Sequence, residues 1–371
     1  MIAGARCAGS SVAMLLARQG LRILVVDPAR HGSDTLSTHA LMRGAVFQLD
    51  RWGLLDAVRA SGTAAIRSTT FHYGDETIEV PIKLRDGIDA LCAPRRTVLD
   101  PVLIDAAAAA GAEVVRGVSV VDVLRDAQGR VRGARISGSD QEVIDVEADL
   151  LLGADGVRSR VARIVDAPVD YTVPHTTASI YGYWRGVPFE GFHWFYDVGA
   201  GVGSIPTNDG EACVFASIRQ SRFEHERGAG LEALYHAALE DVSAELAASV
   251  AESDGPGKLK AFAGATGFLR RATGPGWALV GDAGYFRDPI TAHGITDALR
   301  EAEFFAHAVA NETLEEYQAA RDERVTGLLE VSDRIASFEW DLAEVKAHHL
   351  TLSREMNRQV DALRILVNHS D

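Results

Sequence analysis

A glycine-rich segment at the amino terminus constrains the fold of this chain more than any other feature. Gly4 and Gly9 lie between a short apolar stretch and a segment with helical periodicity that ends near Gln19. A loop of this kind turns free backbone N–H groups and the positive end of a helix toward a pyrophosphate, as in dinucleotide-binding βαβ units. Asp27 ends the next apolar run, where such units carry the acidic residue that holds the ribose hydroxyls. By itself the segment is equally compatible with a tight turn.

Two later segments combine glycine with a carboxylate. Asp155 and Gly156 lie within the sequence GADGVRS, and Gly281 and Asp282 follow an apolar run that is typical of a buried strand. A carboxylate at the end of such a strand can accept hydrogen bonds from sugar or ribityl hydroxyls, while the amides after it can face a flavin ring. Together, in this order and spacing, the three segments predict one bound FAD.

The order of these segments resembles the class A FAD-dependent monooxygenases of the aromatic hydroxylase type, within the superfamily that includes geranylgeranyl reductases and flavin halogenases. The resemblance covers nearly the whole chain. It implies an α/β fold with a Rossmann-like, three-layer FAD-binding domain, an antiparallel β-sheet substrate domain and C-terminal helices. It also implies a set of cofactor contacts from the family motifs, made by Gly4, Arg6, Ala8, Gly9, Asp27, Arg43, Arg96, Asp155, Gly156, Gly281, Asp282, Pro289, Gly294 and Ile295.

The chain departs from the family motifs at several positions. Arg6 replaces the second glycine of the first motif, where its side chain must point away from the pyrophosphate. Ala162 stands where the second motif has its final arginine, which leaves the handling of NAD(P)H open. Tyr285 and Glu301 replace the histidine and the aspartate of the third motif. The departures in the second and third motifs point toward the reductase branch.

Changes in apolar periodicity divide the chain into three predicted units. The FAD-binding domain is expected to be discontinuous and to comprise 1–67, 86–169 and 271–311. The substrate domain is rich in alternating β-branched and aromatic residues, includes one helix over about 229–251, and is expected to comprise 68–85 and 170–270. Helices are expected over 312–371. The first strand is expected to be about two residues shorter than usual, which is compatible with a natural start upstream of Met1.

Composition disfavours several classes of function. The formal net charge of -15 disfavours nucleic acid or an anionic membrane surface as a partner. Three scattered cysteines suit neither a disulfide framework nor a metal site, so no metal is expected and a reducing, cytoplasmic location is predicted. The longest apolar tracts fall short of the roughly 18 residues of a membrane span, so no integral membrane association is expected. The predicted partner is a small organic substrate, and the oligomeric state stays open between monomer and homodimer.

Histidine and aromatic side chains are the remaining candidates for chemistry. The resemblance implies that His39 and His293 lie on loops near the isoalloxazine, and histidine changes charge near neutral pH. A loop-stabilising hydrogen bond is the alternative role for His293, whereas the predicted catalytic set comprises Pro289, His293, Gly294 and Ile295. Aromatic residues alternate along two predicted strands, so about half of them should face the pocket. A structural core is the alternative for the predicted substrate-pocket residues, which are Tyr183, Trp194, Tyr196 and His39.

The resemblance implies a monooxygenase that uses NAD(P)H and O2, through a flavin C4a-hydroperoxide, to oxygenate a small aromatic or polyketide-like substrate. The loop from Pro289 to Ile295 would then line the oxygen pocket, with its amides stabilising negative charge. The alternative is a geranylgeranyl reductase-like flavin reductase or dehydrogenase of an unsaturated substrate. A flavin halogenase is disfavoured, because the W-x-W-x-I-P segment of those enzymes is not evident. A flavin-binding scaffold without turnover is a further hypothesis, supported only by Arg6 and the short first strand.

Overall fold

The computed structural model describes residues 1–139 and 142–368, and it confirms the predicted α/β fold class with C-terminal helices. Residues 369–371 of the predicted C-terminal unit lie outside the described residues. The helices are α1 Cys7–Arg18, α2 Arg43–Arg51, α3 Leu55–Ala60, α4 Arg96–Ala109, α5 Arg160–Ile164, α6 Gln220–Glu226, α7 Leu231–Val242, α8 Ala244–Glu252, α9 Gly294–Ala310, α10 Leu314–Ala336 and α11 Leu342–Asn368. Short 3-10 turns lie at Arg227–Ala229, Gly281–Ala283 and Pro289–Thr291.

The strands alternate with these helices in the first half of the chain and dominate its middle. They are β1 Ile2–Ala3, β2 Leu24–Asp27, β3 Ser68–Tyr73, β4 Glu76–Pro81, β5 Glu113–Arg116, β6 Ser119–Arg125, β7 Val131–Ser137, β8 Val143–Glu147, β9 Leu151–Gly153, β10 Val169–Thr172, β11 Thr177–Arg185, β12 Phe192–Asp197, β13 Ala200–Pro206, β14 Glu211–Arg219, β15 Lys260–Phe262, β16 Phe268–Arg270, β17 Thr273–Gly274, β18 Trp277–Leu279 and β19 Tyr285–Phe286.

The first sheet contains six strands in the order β17-β18-β9-β1-β2-β5. All of them run parallel except β17, which pairs antiparallel with β18 at the edge. The carboxyl ends of β1, β2, β9 and β18 therefore meet at one edge of the sheet, which is where ligands bind in open α/β sheets. One face packs against α1, α4 and α9, and the other against the three-stranded sheet β6-β7-β8. This arrangement has the three layers that the family resemblance implies.

The second sheet contains seven strands in the order β15-β11-β14-β13-β12-β3-β4. Neighbouring strands are antiparallel except β12 and β3, which are parallel. Because side chains alternate along a strand, the sheet has two buried faces. Ile180 and Phe195 pack toward α7 and α8. Tyr181, Trp194 and Tyr196 point the other way and join the hydrophobic core of the first sheet.

The single helix predicted over about 229–251 is wrong. Helix α7 ends at Val242 and α8 begins at Ala244, and between them Ser243 is extended, with φ -150 and ψ 99. The Ser243 hydroxyl oxygen accepts the backbone N–H of Leu246 at 3.2 Å. Serine competes with the helical backbone through this type of bond and favours an N-cap position over a helix interior.

The C-terminal helices α10 and α11 pack against each other and against the first part of the fold. Arg321 on α10 is almost fully buried, and its guanidinium donates to the carbonyl oxygens of Gly284 at 3.1 Å and Arg270 at 2.6 Å. The residue fastens α10 to the loop after β18 and to the small sheet β10-β16-β19. None of the helices in the described residues is long and apolar enough to cross a membrane.

Candidate functional site

A cavity of about 800 Å³ opens at the carboxyl edge of the first sheet and extends to the second sheet. Its wall includes twelve of the fourteen residues that the sequence predicts to contact a cofactor, and the exceptions are Gly9 and Arg43. The twelve are Gly4, Arg6, Ala8, Asp27, Arg96, Asp155, Gly156, Gly281, Asp282, Pro289, Gly294 and Ile295. Its size falls within the roughly 300–1,000 Å³ of pockets for sizeable organic ligands.

Three glycines form a backbone cradle at the cavity, because a Cβ at any of them would collide with neighbouring atoms. Gly4 has φ +110, and a Cβ there would lie 2.3 Å from the carbonyl oxygen of Ala154. A Cβ at Gly9 would lie 1.9 Å from the Gly4 carbonyl oxygen, so Gly9 supports the loop from behind the wall. Gly281 has φ +60, and its Cβ would meet that of Ala8 at 2.9 Å. The close approach fits a pyrophosphate that contacts backbone rather than side chains.

Helix α1 begins at the cavity without a side-chain cap. Its N-cap residue, Arg6, makes no capping hydrogen bond, so the N–H groups of the first turn are available to an anion. The Arg6 guanidinium instead donates to Asp100 on α4 at 2.9 Å. Arg96 donates to both carboxylate oxygens of Asp100, at 2.9 and 3.1 Å. Asp100 thus draws the Arg6 side chain toward α4, and Arg96 adds positive charge to the cavity wall.

Asp27 is nearly buried at the end of β2 and lies in the cavity wall. Its carboxylate accepts the N–H groups of Ala5 and Ala29, both at 2.6 Å. These bonds fix the carboxylate between the glycine loop and the segment after β2. Each oxygen retains a second lone pair, and contact with a ribose stays a prediction.

Asp155 and Gly156 follow β9 and shape the opposite side of the cavity. The Asp155 carboxylate accepts the N–H groups of Arg160 at 2.7 Å and Val161 at 3.1 Å, and the hydroxyl of Ser159. One carboxylate oxygen therefore caps the start of α5, and the other holds the hydroxyl of the N-cap residue Ser159. Gly156 has φ +81, a backbone conformation that is strained for residues with a side chain. The geometry gives Asp155 a structural role in shaping the wall, and its cofactor role stays a prediction.

Asp282 presents a carboxylate to the cavity at the carboxyl end of β18. Desolvation, reinforced by the charge of Asp297, raises its pKa to about 6, while Arg96 and Arg287 oppose the rise. At neutral pH the group is mostly ionised and can accept hydrogen bonds from hydroxyls. Glu301 on α9 holds the same loop, because its carboxylate accepts the N–H of Gly281 at 2.6 Å.

The turn from Pro289 to Thr291 and the start of α9 form the wall nearest the second sheet. Asp288 caps this turn through the N–H of Ile290 at 3.0 Å, and it is itself held by the N–H and hydroxyl of Thr177 on β11 at 2.7 and 2.6 Å. Ala292 follows in the left-handed region with φ +52. The amides at the start of α9 consequently face the cavity without a side-chain cap.

His293 lies behind this wall and is not among the lining residues. Its Nδ1 pairs with the carbonyl oxygen of Thr291, whereas Nε2 has no partner in the described residues. Burial, followed by the charge of Arg287, lowers the pKa of His293 to about 3. The ring is therefore neutral near pH 7, and its Thr291 contact matches the loop-stabilising alternative.

Arg43 begins α2 but does not line the cavity. Its guanidinium donates to the carbonyl oxygens of Lys83 at 2.8 Å and Ile88 at 3.0 Å. It therefore clamps the loop that leads from β4 toward α4. Its direct contact with a flavin stays a prediction of the family resemblance.

The second sheet and the segment after β2 complete the cavity wall. His39 lines the wall with φ +69 and is almost fully buried. Its Nε2 pairs with the hydroxyl of Tyr183 at 2.6 Å, and its Nδ1 has no partner in the described residues. Burial, with the charges of Arg95 and Arg96, lowers the pKa of His39 to about 3. The Arg95 guanidinium also stacks on Tyr183, 3.4 Å from the ring centre.

Tyr183, Trp194 and Tyr196 share the inward face of the second sheet, and none of the three is among the residues that line the cavity. Trp194 packs against Phe215, with ring centres 5.5 Å apart. Tyr196 packs against His349 of α11 at 4.4 Å. The contacts of these two rings match the structural-core alternative, and their place in a substrate pocket stays a prediction.

Tyr181, one of the aromatic residues whose alternation predicts a pocket-facing set, lines the cavity and accepts the N–H of Ser37 at 3.0 Å. Sequence reasoning missed two other residues of the wall, Arg287 and Asp297, which no motif singles out. The described residues contain no group of three histidine, cysteine or acidic side chains arranged to hold a metal ion.

The fold and the glycine-lined cavity define a flavoprotein of the oxidoreductase class. Residues 1–332 match the FAD binding domain family, and the chain belongs to that family. The residues present fit FAD, because the uncapped start of α1, the glycine cradle and the carboxylates of Asp27 and Asp282 meet in one cavity.

Known relatives lie in several branches of FAD-dependent oxidoreductases. A digeranylgeranylglycerophospholipid reductase of Methanothrix thermoacetophila is 25% identical over 97% of this chain and 88% of its own length. The structure of P. aeruginosa PqsL in complex with 2-aminobenzoylacetate has a TM-score of 0.77 and 21% identity, and the match covers 96% of this chain and 98% of PqsL. The flavin-dependent brominase Bmp2 has a TM-score of 0.80 and 19% identity, with 97% and 92% covered. The two structural likenesses show the fold that these proteins share.

Proposed function

We propose that the protein is an FAD-dependent monooxygenase that uses NAD(P)H and O2 to oxygenate a small organic, aromatic or polyketide-like substrate. The observation that carries the proposal is the continuity of one cavity from the glycine cradle, past the uncapped start of α9, to the aromatic face of the second sheet. FAD, when bound and reduced, supplies the electrons that activate oxygen. The chain supplies binding, orientation, exclusion of water and charge stabilisation.

The backbone at the start of α9 has the most direct chemical role in this proposal. Its N–H groups carry the positive end of a helix of 17 residues. Pro289 fixes the turn before it, and Asp288 ties that turn to β11. Donors held in place before the reaction stabilise developing negative charge without reorganisation, which is commonly the largest catalytic contribution.

The substrate side favours a flat, conjugated molecule with a polar group. Tyr181, Phe262 and Phe286 line the cavity there, and His39 adds an unpaired ring nitrogen. Aromatic walls favour planar ligands through offset or edge-on contacts. The bound 2-aminobenzoylacetate of PqsL has such chemistry, and it supplies the first compound to try.

A reductase of an unsaturated substrate is the second candidate. The reductase relative matches 97% of the chain, and the second glycine motif lacks its final arginine. Reduction of a carbon–carbon double bond consumes a proton as well as a hydride equivalent. The chain offers His39 as the residue that handles this proton, because its Nδ1 has no partner in the described residues and its Nε2 is held by the Tyr183 hydroxyl at 2.6 Å.

Oxygen dependence separates the two candidates. The FAD-loaded protein is mixed with NADH or NADPH and with 2-aminobenzoylacetate or digeranylgeranylglycerophospholipid, the compound in the name of the reductase relative, in the presence and absence of O2. A monooxygenase forms product only with O2, and the product carries label from 18O2. Full anaerobic turnover without incorporated label would contradict the monooxygenase proposal and support the reductase.

A further inference from the structure

A buried ionic cluster lies in and directly behind the wall of the cavity. Asp297, in the first turn of α9, accepts the Arg287 guanidinium at 2.7 Å and the Arg300 guanidinium at 2.7 Å. The side chains of the three residues are 3–7% exposed. Arg287 and Asp297 line the cavity, and Arg300 lies one helical turn behind Asp297.

The cluster carries more positive than negative charge. Burial raises the pKa of Asp297, but the charges of Arg287 and Arg300 lower it by more. The net shift is downward, so the carboxylate stays ionised at neutral pH. Two guanidinium groups and one carboxylate leave one net positive charge. The Nη2 atoms of Arg287 and Arg300 have no hydrogen-bond partner in the described residues. His293 beside them is neutral, while the carboxylates of Asp282 and Glu301 interact with Arg287 and Arg300 and oppose part of this charge.

Stability alone is a weak reason for two buried arginines on one carboxylate. Removing charges from water is costly, and apolar residues of similar size often serve stability as well or better. Arg287 contacts one further polar group, the hydroxyl of Ser332 on α10 at 3.0 Å. Arg287 lies in the cavity wall and its Nη2 has no partner in the described residues, so its charge is placed to act on a group that enters the cavity.

We propose that the Arg287–Asp297–Arg300 cluster stabilises the negative charge that reduction leaves on bound FAD, and so raises the reduction potential of the cofactor. Two-electron reduction with uptake of one proton adds one negative charge, whatever donor supplies the electrons. A cation held in a wall of low polarity acts on that charge more strongly than a hydrated one. The inference requires FAD binding, and it does not depend on oxygen transfer.

The test is the midpoint potential of FAD-loaded variants, followed by absorbance during anaerobic titration with dithionite. Arg287→Gln and Arg300→Gln each remove a positive charge, and we expect the potential to fall. For Arg287→Gln the expected loss is about tenfold in the preference for reduced over oxidised FAD, which equals about 30 mV for a two-electron couple. Asp297→Asn removes the negative charge, and we expect the potential to rise.

Two control variants separate charge from architecture. Ser332→Ala removes the neutral hydrogen-bond partner of Arg287. Arg287→Lys retains the positive charge but loses the planar guanidinium and its paired N–H donors. Both should keep the potential within a few millivolts of the wild type, on the same scale of about 30 mV per tenfold. FAD content and thermal unfolding identify variants that fold.

Opposite shifts in Arg287→Gln and Asp297→Asn support the proposal, because a merely structural role does not predict a change of sign. Should Arg287→Gln fail to fold, Arg300→Gln and Asp297→Asn give the same comparison. Equal midpoint potentials in all variants would overturn the proposal. A shift of the same sign in Arg287→Gln and in Asp297→Asn would also overturn it. Failure of the oxygen-label experiment would leave this result unaffected, so the two proposals fail separately.

Discussion

At the scale of single residues, the cavity is built from carboxylates that hold the backbone in place. Asp27 joins the glycine loop to the segment after β2 through the amides of Ala5 and Ala29. Glu301 fixes Gly281 through its N–H. These bonds explain how a loop lined by backbone keeps the geometry that a pyrophosphate and a ribityl chain need.

Asp27→Ala should weaken FAD binding by at least about tenfold while the protein remains folded. A hydrogen bond to a charged acceptor contributes about 1.5–3 kcal/mol, and about 1.4 kcal/mol is a factor of ten in affinity. The measurement is calorimetric titration of the apoprotein with FAD. Asp56→Ala, at an exposed position on α3, is the matched control and should leave the affinity unchanged. Equal FAD affinity in both variants would exclude a ribose contact for Asp27.

Glu301 makes stability depend on pH. Burial raises its pKa in the folded protein to about 7 from an ordinary 4.5. Between these values the unfolded chain loses a proton that the folded chain keeps, so this group makes stability fall as pH rises from about 4.5 to 7. Glu301→Gln keeps an acceptor for Gly281 and should flatten the decline. The free energy of unfolding of the apoprotein, measured across this range, provides the test.

Glu315→Gln, at an exposed site near the start of α10, is the control for the Glu301 experiment and should retain the wild-type slope. A Glu301→Gln variant with the same slope as the wild type would show that Glu301 titrates normally in the folded protein.

Sequence motifs that fix the backbone indicated residues that line the cavity, whereas residues placed there by tertiary contacts were not indicated. The sequence indicated Gly4 and Asp282, and both line the cavity. It did not indicate Arg287 or Asp297, because their burial and pairing arise from the meeting of β19, α9 and α10. Arg43 is the opposite case. Its position in the motif is clear, but its guanidinium donates to carbonyl oxygens of the loop after β4 and does not line the cavity.

At the scale of elements, the turn from β1 into α1 is the tightest junction of the site. Gly4 needs its positive φ, and the Ala154 carbonyl leaves no space for a Cβ. Gly20, after α1, also has positive φ, at +84, but its Cβ would meet nothing within 4 Å. Substitutions at the two positions therefore distinguish the free-energy cost of a positive φ from that of a steric collision.

Gly4→Ala should reduce FAD content and thermal stability more than Gly20→Ala does. Both variants carry the roughly 1–2 kcal/mol strain of a left-handed residue, and only Gly4→Ala adds a collision that displaces β1 or β9. Absorbance ratios of flavin to protein and thermal unfolding measure the two effects. The packing argument would be wrong if both variants lost FAD and stability equally.

Element prediction was accurate where periodicity is long and failed where one side chain ends a helix. Helices α10 and α11, Leu314–Ala336 and Leu342–Asn368, fall within the helical unit predicted over 312–371. The break at Ser243 was missed, because the apolar pattern continues across it and the serine cap is a local competition with the helical backbone. Alternation along β11 and β12 predicted two faces but could not decide which one meets the cavity.

At the scale of the whole molecule, the cavity lies where the two large sheets meet. The carboxyl edge of the first sheet supplies the cofactor side, and the inward face of the second sheet supplies aromatic side chains. Helix α10 closes the assembly, since Arg321 and Ser332 contact the loops that follow β18 and β19. The resemblance predicted this architecture, while the strand registers that decide which aromatic rings reach the cavity depend on tertiary packing.

The central claim is that the three glycine segments form a single FAD site. Titration of the apoprotein with FAD by calorimetry tests it most directly, with AMP and riboflavin as separate half-site probes. The account predicts one non-covalent FAD per chain, weaker binding of each half, and competition of both with FAD. Absence of FAD binding by a folded apoprotein, or an affinity for FAD no greater than for AMP alone, would contradict it.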